Sequence, residues 1–484
     1  MRKAVLGSLA AVAAGAGWAS GQSPRMPASV MPAPVAVAPG GGVTPVSMDG
    51  GMGMMPDAPP MPMGGGMPMG GGMPMGGMPM GGGMMPPGPF PGDMGMGGPQ
   101  GGYGGASNQV DNALRLSPKF EFNGRYLLYF TKSQPTPGAL VTTSAPGAGG
   151  ILGQPTTGTL FGGSDFGMGL FSGFDLSGVL WKDPDRRIGL VLGGMMLETK
   201  SRGFDAISDA TGQPTYARPF TNAQTGLPDS LLISFPNAIT GGVQSSVSTK
   251  LYGGHGGLAW NIYRSCPTDC CLVTMNMTTE FAHFALNETL DVRQTSQLIN
   301  GNTAAFDQKI YTAPTTFTVH DSIQTLNQFY GGSIGLNFDA RYGRVYLNMY
   351  GKLGLGDMHQ RLDINGTSTA VDPNTGANSN VRGGLLANNS NIGRFNNDTF
   401  ALVPEAGGTI GYNWTSWFTT TVGYGFLYTN NVIRPGQQVS TTVDPSLVPA
   451  HPGFGGPAVP VANPAFTQTS FWVQGVQVGF VFRW

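Results

Sequence analysis

The fold is indicated most clearly by residues 329–356, FYGGSIGLNFDARYGRVYLNMYGKLGLG. Apolar and polar residues alternate in two stretches of this segment, with Tyr342-Gly343 between them. The apolar positions are Tyr330, Ile334, Leu336, Phe338 and Ala340 in the first stretch and Val345, Leu347, Met349, Leu353 and Leu355 in the second. Period-two alternation predicts strands with one apolar face, and the short break between them predicts a hairpin.

Composition bears on what that apolar face meets, a soluble core or a membrane. The chain of 484 residues contains 79 Gly and 39 Pro, and only 11% of its residues are charged. Soluble proteins carry about 25% charged residues, so a membrane barrel is favoured and a soluble β-sandwich is the alternative. The net charge of -1 and the lack of a basic patch argue against nucleic acid as a partner.

The N-terminus resembles an export signal. Arg2 and Lys3 precede an apolar run from Ala4 to Trp18, and Ala19-Ser20-Gly21 offers small residues for cleavage. This pattern predicts a signal peptide over residues 1–21. Beyond it, Gly, Asn, Thr and charged residues interrupt every window of about 19 residues that a transmembrane helix would need. We therefore expect an exported protein.

Residues 22–110 form a Met/Gly/Pro-rich segment that includes PMPMGGGMPMGGGMPMGGMPMGGGMMPP (60–87). A chain with so little apolar surface able to pack cannot offset the entropy of ordering. We expect a disordered periplasmic arm. The paired methionines offer thioether ligands suited to Cu(I), which is an alternative, although no His or Cys accompanies them.

The remaining residues, 111–484, contain about ten segments with period two. Four connections between them are short, around Asp183, around 264–270, at Tyr342-Gly343 and at 413–415. Five are long, about 131–165, 199–246, 288–324, 359–397 and 431–469. Strict alternation of short and long connections is typical of an outer-membrane barrel, with both termini on the periplasmic side. The fold class predicted is all-β, a closed antiparallel transmembrane β-barrel of about 10 strands, with 12 possible.

The last residues, 469–484 (TSFWVQGVQVGFVFRW), keep one apolar face to the end of the chain. Phe480, Phe482 and Trp484 resemble the C-terminal signal that the outer-membrane assembly machinery reads. We expect that machinery and outer-membrane lipid as partners. We also expect Glu121 on the first strand to face Arg483 on the last across the closing seam, because opposite charges favour one register.

The segment from about 120 to 484 resembles the beta-barrel porin-7 family, outer-membrane proteins typical of planctomycete bacteria. The similar stretches include LFGG (160–163), ARPF (217–220), SFPNAITGGVQ (234–244), residues 329–356, GGLLANNSNIG (383–393), FALVPEAGGTIGYNW (400–414), VGYGFLYTNNVIRPGQQV (422–439) and FWVQGVQVGF (471–480). The resemblance implies a barrel in the cell outer membrane and brings no catalytic residues. It does not cover the methionine-rich segment.

The polar positions of the strands predict a charged lumen. Its expected members are Glu121, Arg125, His255, Glu280, Asp339, Arg341, Arg344, Lys352, Glu405 and Arg483. His255 and Glu280 fall roughly opposite each other on neighbouring strands. Ten strands lie between the eight that side chains fill and the sixteen that enclose an open channel. We therefore expect limited passage of solutes.

Two further groups of residues could carry chemistry. Cys266, Cys270 and Cys271 share one short turn, where a local disulfide is the expectation in an oxidising periplasm and a metal site would lack a fourth ligand. His320-Asp321 and Asp357-Met358-His359 lie near the outer ends of adjacent predicted strands, where an imidazole and a carboxylate could activate water. No motif for a cofactor or a metal appears, and we expect neither.

Three functions follow as hypotheses. The first is a non-enzymatic outer-membrane barrel that displays long extracellular loops. The second is a narrow, porin-like diffusion channel for small polar solutes. The third is a rim hydrolase that uses the region of His320 and His359. The sequence does not identify a ligand, an oligomeric state or a role for the methionine-rich arm.

Overall fold

The structure is a computed structural model that describes residues 119–136, 138–183, 186–265, 271–461 and 466–484. Ten of its strands, numbered along the chain, form one closed ring. They are β1 (Phe120–Thr131), β4 (Leu170–Trp181), β5 (Ile188–Leu197), β9 (Ile239–Arg264), β10 (Cys271–Leu298), β13 (Thr316–Tyr342), β14 (Val345–Val371), β16 (Gly393–Asn413), β17 (Phe418–Ile433) and β19 (Gln468–Arg483). The expected signal peptide (1–21) and arm (22–110) lie outside the described residues.

Every strand of the ring is antiparallel to its two neighbours. The ring closes where β1 pairs with β19, and Glu121 lies opposite Arg483 in that register. At the opposite side, β9 and β10 form a long hairpin. The predicted all-β fold, a closed antiparallel barrel of ten strands, is confirmed, and the sandwich and twelve-strand alternatives are not needed.

The outer wall of the ring carries an apolar band. On β13 the outward side chains from Tyr330 to Tyr342 include Ile334 at 61% exposure and Leu336 at 52%. This stretch covers about 40 Å along the strand, or about 30 Å along the barrel axis at the tilt usual for such barrels. Beyond Tyr330 the outward residues are Gln328, Leu326 and Gln324, so the wall becomes mostly polar. The band therefore has the height of the hydrocarbon core of a bilayer.

The two ends of the ring differ in how the strands are connected. At the end called here the turn end, residues 182–187, 265–270, 343–344 and 414–417 join consecutive strands. At the other end, called the connection end, the joining segments are longer, as predicted. The expected bounds about 131–165 and 431–469 are close to the observed 132–169 and 434–467. Those of 288–324 and 359–397 were wrong, because β10, β13 and β14 continue beyond the bilayer and reduce these connections to residues 299–315 and 372–392.

The segments at the connection end have structure of their own. A small sheet contains β2 (Ala139–Ser144), β3 (Gly158–Gly162), β7 (Thr215–Asn222), β8 (Pro228–Ser234) and β18 (Thr442–Val443). The hairpin β11 (Thr303–Phe306) and β12 (Lys309–Thr312) also belongs to these segments, and β15 (Asn378–Arg382) pairs with β14. The remaining strand, β6 (Lys200–Ile207), follows β5 and pairs with β9 beyond the end of β5. Short 3₁₀ helices cover Pro146–Ala148, Pro435–Gln438 and Pro445–Leu447. The segments 132–169, 198–238 and 434–467 are called the cap below.

The cap packs into the mouth of the ring. Phe161, Phe220 and Ile233 of the cap belong to one buried apolar cluster with Leu286 of β10 and Phe471 of β19. All are at most 3% exposed. Side chains buried to this degree each contribute about 1.5–3 kcal/mol of hydrophobic free energy. The connection end of the lumen is therefore filled by an apolar core.

One seam of the wall is incomplete. The ladder between β16 and β17 ends at Glu405 opposite Leu427, although both strands continue toward the connection end. Pro404 follows immediately along the seam and has no N–H to donate to β17. Side-chain amides replace the ladder here: Leu402 N donates to Asn430 Oδ1 over 2.7 Å, and Asn431 Nδ2 donates to Phe400 O over 2.8 Å.

Helices contribute little to this fold. In the part of the chain that the structure describes, no helix combines the length and the apolar character needed to cross a membrane.

Candidate functional site

The candidate site is a polar chamber inside the ring, between the turn end and the cap. It has a volume of about 160 Å³. An engineered cavity of about 150 Å³ admits a molecule the size of benzene, so this space suits water or a very small solute. Its charged lining residues are Glu121, Arg125, Asp175, Arg186, His255, Glu280, Asp339, Lys352 and Glu405.

Arg125 of β1 organises one wall of this chamber. Its Nη2 lies 3.0 Å from Asp175 Oδ1 on β4, directly across the strand pair. The same nitrogen donates to Ser177 Oγ over 3.2 Å, and Nη1 donates to Gln477 Oε1 on β19 over 3.5 Å. The guanidinium therefore links three neighbouring strands, which the alternation of inward polar residues along each strand makes possible.

Glu280 of β10 organises the opposite wall. Its Oε2 lies 2.9 Å from Lys352 Nζ and 3.8 Å from His255 Nε2. Oε1 of the same carboxylate is buried and has no hydrogen-bond partner among the described residues. Gly193 makes room for the imidazole, since a Cβ there would approach His255 Nε2 to 2.6 Å. A carboxylate oxygen without a partner can accept a hydrogen bond from a water or from a small ligand that carries a donor group.

A cluster of charges closes the lumen at the turn end. Glu121 Oε2 lies 3.2 Å from Arg483 Nε, 3.7 Å from Arg341 Nη2 and 3.8 Å from Arg186 Nη2. Asp339 lies beside them and accepts from Tyr346 Oη over 2.7 Å. The side chains of Glu121, Arg186, Arg341 and Arg483 are at most 14% exposed, so the cluster is a packed group of charges inside the turn end of the ring.

Two buried ion pairs hold the opposite end. Arg434 and Glu288, both 0% exposed, form a bidentate pair with Nε–Oε2 2.5 Å and Nη2–Oε1 2.7 Å. Arg434 Nη1 also donates to Ser133 O over 3.0 Å, which ties the start of the cap to β10 and to the end of β1. Arg218 of the cap sheet lies 2.6 Å from Asp321 of β13, again with both side chains buried.

The structure places most of the expected lumen residues inside the ring. Glu121, Arg125, His255, Glu280, Asp339, Lys352 and Glu405 line the chamber, and Arg341 and Arg483 contact Glu121. Arg344 is an exception. It lies in the turn before β14, where the alternation of a strand does not apply, and its Nη1 donates to the outward Tyr412 Oη over 3.4 Å.

Sequence reasoning missed several residues of the site. Asp175 and Arg186 line the chamber, and Arg434 and Glu288 span its mouth. Asp175 has a period-two signal, since it alternates with Phe174 and Leu176 in a predicted strand. Glu288 alternates with the inward Leu286 and Leu290 of β10, a signal that the predicted loop of 288–324 overlooked, whereas Arg434 follows the end of β17 and has no such signal.

The remaining candidate residues lie apart from the chamber. His320 pairs with Asp291 at 3.2 Å and His359 pairs with Asp398 at 2.5 Å. His359 lies opposite Gln328 in the register, so His320 is eight residues, or about 26 Å, further along the hairpin. Cys266 and Cys270 lie outside the described residues, and Cys271 begins β10. Within the described ranges, no group of three or more His, Cys, Asp or Glu is arranged to hold a metal.

The C-terminal aromatic residues lie on the outer wall at the turn end. Phe482 stacks on Trp417 with ring centroids 5.8 Å apart, and Trp484 packs edge-on against Phe120 at 5.1 Å. Phe480 packs against Phe482 at 5.1 Å. Aromatic rings at this height form the girdle typical of membrane interfaces.

The sequence profile of a family described as Putative beta barrel porin-7 matches residues 122–484. The chain belongs to this family. The porin-7 match covers the whole ring, from β1 to the last residue. Together with the apolar band around the ring, the family points to an outer-membrane protein. A search of curated proteins found no match.

A comparison with solved structures found matches of low similarity. The toluene transporter TodX of P. putida has 8% identity and a TM-score of 0.18, and the match covers 77% of this chain and 92% of that chain. The CymD monoaromatic hydrocarbon channel has 8% identity, a TM-score of 0.15 and coverage of 79% and 93%. OmpT of Vibrio cholerae has 10% identity, a TM-score of 0.09 and coverage of 76% and 99%.

Proposed function

We propose that this porin-7 protein is a non-enzymatic outer-membrane barrel whose resting state is closed to solute diffusion, and whose cap and long connections are displayed on the extracellular side. The observation that carries the proposal is the filled mouth of the ring. Apolar residues of the cap pack there at 0–3% exposure. A barrel that conducts water-soluble molecules needs a continuous polar path, and a buried apolar core interrupts it.

The arrangement of the two candidate histidines bears on the non-enzymatic part of the proposal. Among the described residues, His320 and His359 each pair with a separate aspartate on the outer wall. Hydrolysis needs a base and a positioned water near one reacting atom, which two sites about 26 Å apart do not provide. The proposal also keeps the barrel assembly machinery as a partner, with Phe480, Phe482 and Trp484 as its recognition residues.

Planar-bilayer recording tests the closed state. The purified full chain, reconstituted at single-barrel density, is expected to give no stable conductance steps in 1 M KCl. Steady unitary steps from the unmodified protein would contradict the proposal. A known open porin reconstituted in the same way provides the positive control, and a circular dichroism spectrum of the same sample confirms folded strand content.

A second candidate function is a narrow channel that opens when the cap moves. The polar chamber of about 160 Å³ favours it, because its ionised side chains can stabilise water or a small polar solute once the cap has moved. This candidate predicts silence at rest and small conductance steps once the ion pair between Arg434 and Glu288 is removed. Permanent silence of such variants, with the barrel intact, would exclude it.

A further inference from the structure

The middle of the chamber contains one more carboxylate than it has permanently cationic side chains. Arg125 pairs with Asp175 at 3.0 Å, and Lys352 pairs with Glu280 at 2.9 Å. Glu405 of β16 is the third carboxylate, and it lies opposite Lys352 in the register. Among the described residues, its carboxylate takes part in no hydrogen bond or ion pair. These five side chains, called the central group, therefore combine two cations with three carboxylates.

Neither of the two neighbouring sources of positive charge balances the central group. Glu121, which lies at the centre of the charge cluster of the turn end, and Arg125 are four residues apart on β1, about 13 Å along the strand. The Coulomb interaction of two unit charges at that distance is about a third of its value at 4 Å. Histidine side chains are ordinarily neutral at pH 8, and His255 then adds no charge. Because an uncompensated charge inside a membrane-spanning structure is costly, the central group favours a bound cation.

Glu280 offers such a cation a fixed point of attachment. Its side chain is 1% exposed, and its Oε2 contacts Lys352 Nζ and His255 Nε2. Its Oε1 is buried and has no hydrogen-bond partner among the residues that the structure describes, although Glu280 lines the chamber. A buried charged group with an unpaired acceptor is costly, and one donated hydrogen bond removes this cost. A cation that also donates hydrogen bonds therefore suits the site better than one that does not.

The size and the walls of the chamber favour a small organic ammonium. A surplus of one negative charge is balanced by a monovalent cation, whereas a divalent metal ion would leave an excess of positive charge. Tyr129, Tyr350 and Phe426 are among the residues that line the chamber, and aromatic rings attract ammonium groups electrostatically. The volume of about 160 Å³ is close to that of a cavity that admits benzene. A primary amine of a few carbon atoms fits such a space.

We propose that the chamber binds one small primary ammonium ion. Its N–H group donates to Glu280 Oε1, and the unpaired carboxylate of Glu405 provides its counter-charge. Lys352 contacts Glu280 and lies opposite Glu405, so the two carboxylates belong to the same part of the chamber. With the ligand bound, three cations balance three carboxylates. The proposal goes beyond the closed resting state of the barrel and does not depend on conductance, because a closed lumen can hold the ion and a gated one can pass it.

Thermal unfolding of the full chain tests the identity of the cation. The chain is folded into detergent at pH 8 with methylammonium chloride or tetramethylammonium chloride at equal ionic strength, so the ion does not have to enter a closed barrel. Tetramethylammonium carries the same charge but has no N–H group. Since a ligand bound only by the folded state stabilises that state, we expect methylammonium to raise the unfolding temperature, read from gel mobility, by about 2–4 °C over tetramethylammonium.

Potassium chloride at the same ionic strength is the third condition. We expect it to give a smaller rise than methylammonium, because potassium donates no hydrogen bond to Glu280. An equal rise with potassium would contradict the assignment of an ammonium ion. Equal unfolding temperatures in methylammonium and tetramethylammonium would show that the chamber holds no such ligand.

Glu405→Gln tests the source of the surplus charge, because it keeps the shape of the side chain and removes its charge. In tetramethylammonium this variant should unfold at a higher temperature than the unmodified chain, since no uncompensated carboxylate remains. Methylammonium should raise its unfolding temperature no further. Asp357→Asn, at an exposed position on the outward face of β14, is the matched control and should keep the full rise. A rise that persists in Glu405→Gln, or that is lost in Asp357→Asn, would refute the proposal.

The double variant Glu280→Met and Lys352→Met tests the hydrogen-bond acceptor. It removes one charge of each sign, so the surplus charge of Glu405 stays and no lysine is left without its carboxylate. The rise with methylammonium should fall by about half or more, because the ligand loses a charge-assisted hydrogen bond. An undiminished rise would place the ion away from Glu280 and contradict the assignment. Since conductance is not measured in these experiments, the closed-lumen proposal can fail or succeed separately.

Discussion

Arg434 and Glu288 form a bidentate ion pair that is 0% exposed on both sides, although 146 residues separate them in the chain. Thr249 Oγ1 donates to the same carboxylate over 3.0 Å. The pair therefore joins β9, β10, the end of β1 and the start of the last cap segment at one point. Complete burial of two charged side chains is favourable only when each charge is paired and its hydrogen-bonding atoms have partners.

Removal of one partner of this pair should destabilise the cap strongly. Glu288→Gln leaves the buried guanidinium of Arg434 without a counter-charge, and Arg434→Met leaves the buried carboxylate of Glu288 without one. Either change should cost about 3–5 kcal/mol of folding free energy. The measurement is hydrogen exchange of the cap segments together with heat-induced unfolding. The double variant Glu288→Leu and Arg434→Met should recover much of the loss, because no unpaired charge remains. Equal protection in the single variants and the unmodified chain would contradict the role given to this pair.

The seam between β16 and β17 should open locally when the side-chain amide of Asn430 is removed. Asn430→Ala leaves Leu402 N without the acceptor that now lies 2.7 Å away, and an unsatisfied buried donor costs about 1–3 kcal/mol. Amide exchange at Leu402 is expected to accelerate about tenfold or more. Asn396→Ala, at an exposed position of β16, is the control. Unchanged exchange at Leu402 would show that the seam is held by other contacts.

Charge reversal at the closing strand pair should slow assembly. Glu121→Lys would place an ammonium group next to Arg483, Arg341 and Arg186, which now lie within 3.8 Å of the carboxylate. We expect the free energy of unfolding to fall by about 3 kcal/mol or more. The unfolding temperature, measured from the heat-dependent change in gel mobility, should fall as well. Asp165→Lys, an exposed reversal in the cap, should have little effect. Normal assembly and heat resistance of Glu121→Lys would argue against the closing role of Glu121.

Acid should loosen the cap through Asp444. Burial raises the pKa of this carboxyl, but hydrogen bonds from Val459, Ser446 and Gln224 outweigh it and hold the pKa below the ordinary value of 3.8. A group whose pKa is lower in the folded state stabilises that state above its unfolded pKa, and loses the effect as pH falls through its folded pKa. Cap protection should therefore decline below about pH 4.

The Asp444→Asn variant separates this effect from other acid effects. It cannot titrate, so its cap should be less protected at pH 7 and should change less between pH 6 and pH 3. Hydrogen exchange of residues 440–461 measures both. An identical pH profile for the variant and the unmodified chain would assign the acid response to other groups.

Period-two alternation was enough to predict the ring, because membrane and lumen place opposite demands on the two faces of every strand. It failed at the connection end for the same reason. Beyond the bilayer, the outward residues of β10 include the charged Asp291 and Arg293, and the inward face begins with Glu288, so this stretch resembles a loop. The inward residues Leu290 and Val292 keep the alternation, and they were the signal that strands continue there.

The residues of the candidate site also divide into those that the alternation predicts and those that it does not. Inward residues within the apolar band, such as Arg125 and Glu280, could be assigned to the lumen from their neighbours in the sequence. The contacts that close the mouth could not, because Arg434 and Glu288 meet only after β17 bends over the lumen and Ile433 bonds to Asn327 of β13. Arg344 shows the limit at the other end, where a turn interrupts the alternation.

The unequal strand lengths give the rim a slope. β9, β10, β13 and β14 have 26–28 residues, whereas β1, β4 and β5 have 10–12. With the connection end outside, as proposed above, an antibody that approaches the barrel should meet the extended ends of β9, β10, β13 and β14 as one continuous wall. Accessible epitopes are therefore expected on that wall and on the cap segments 132–169 and 198–238, which follow the shorter strands β1 and β5.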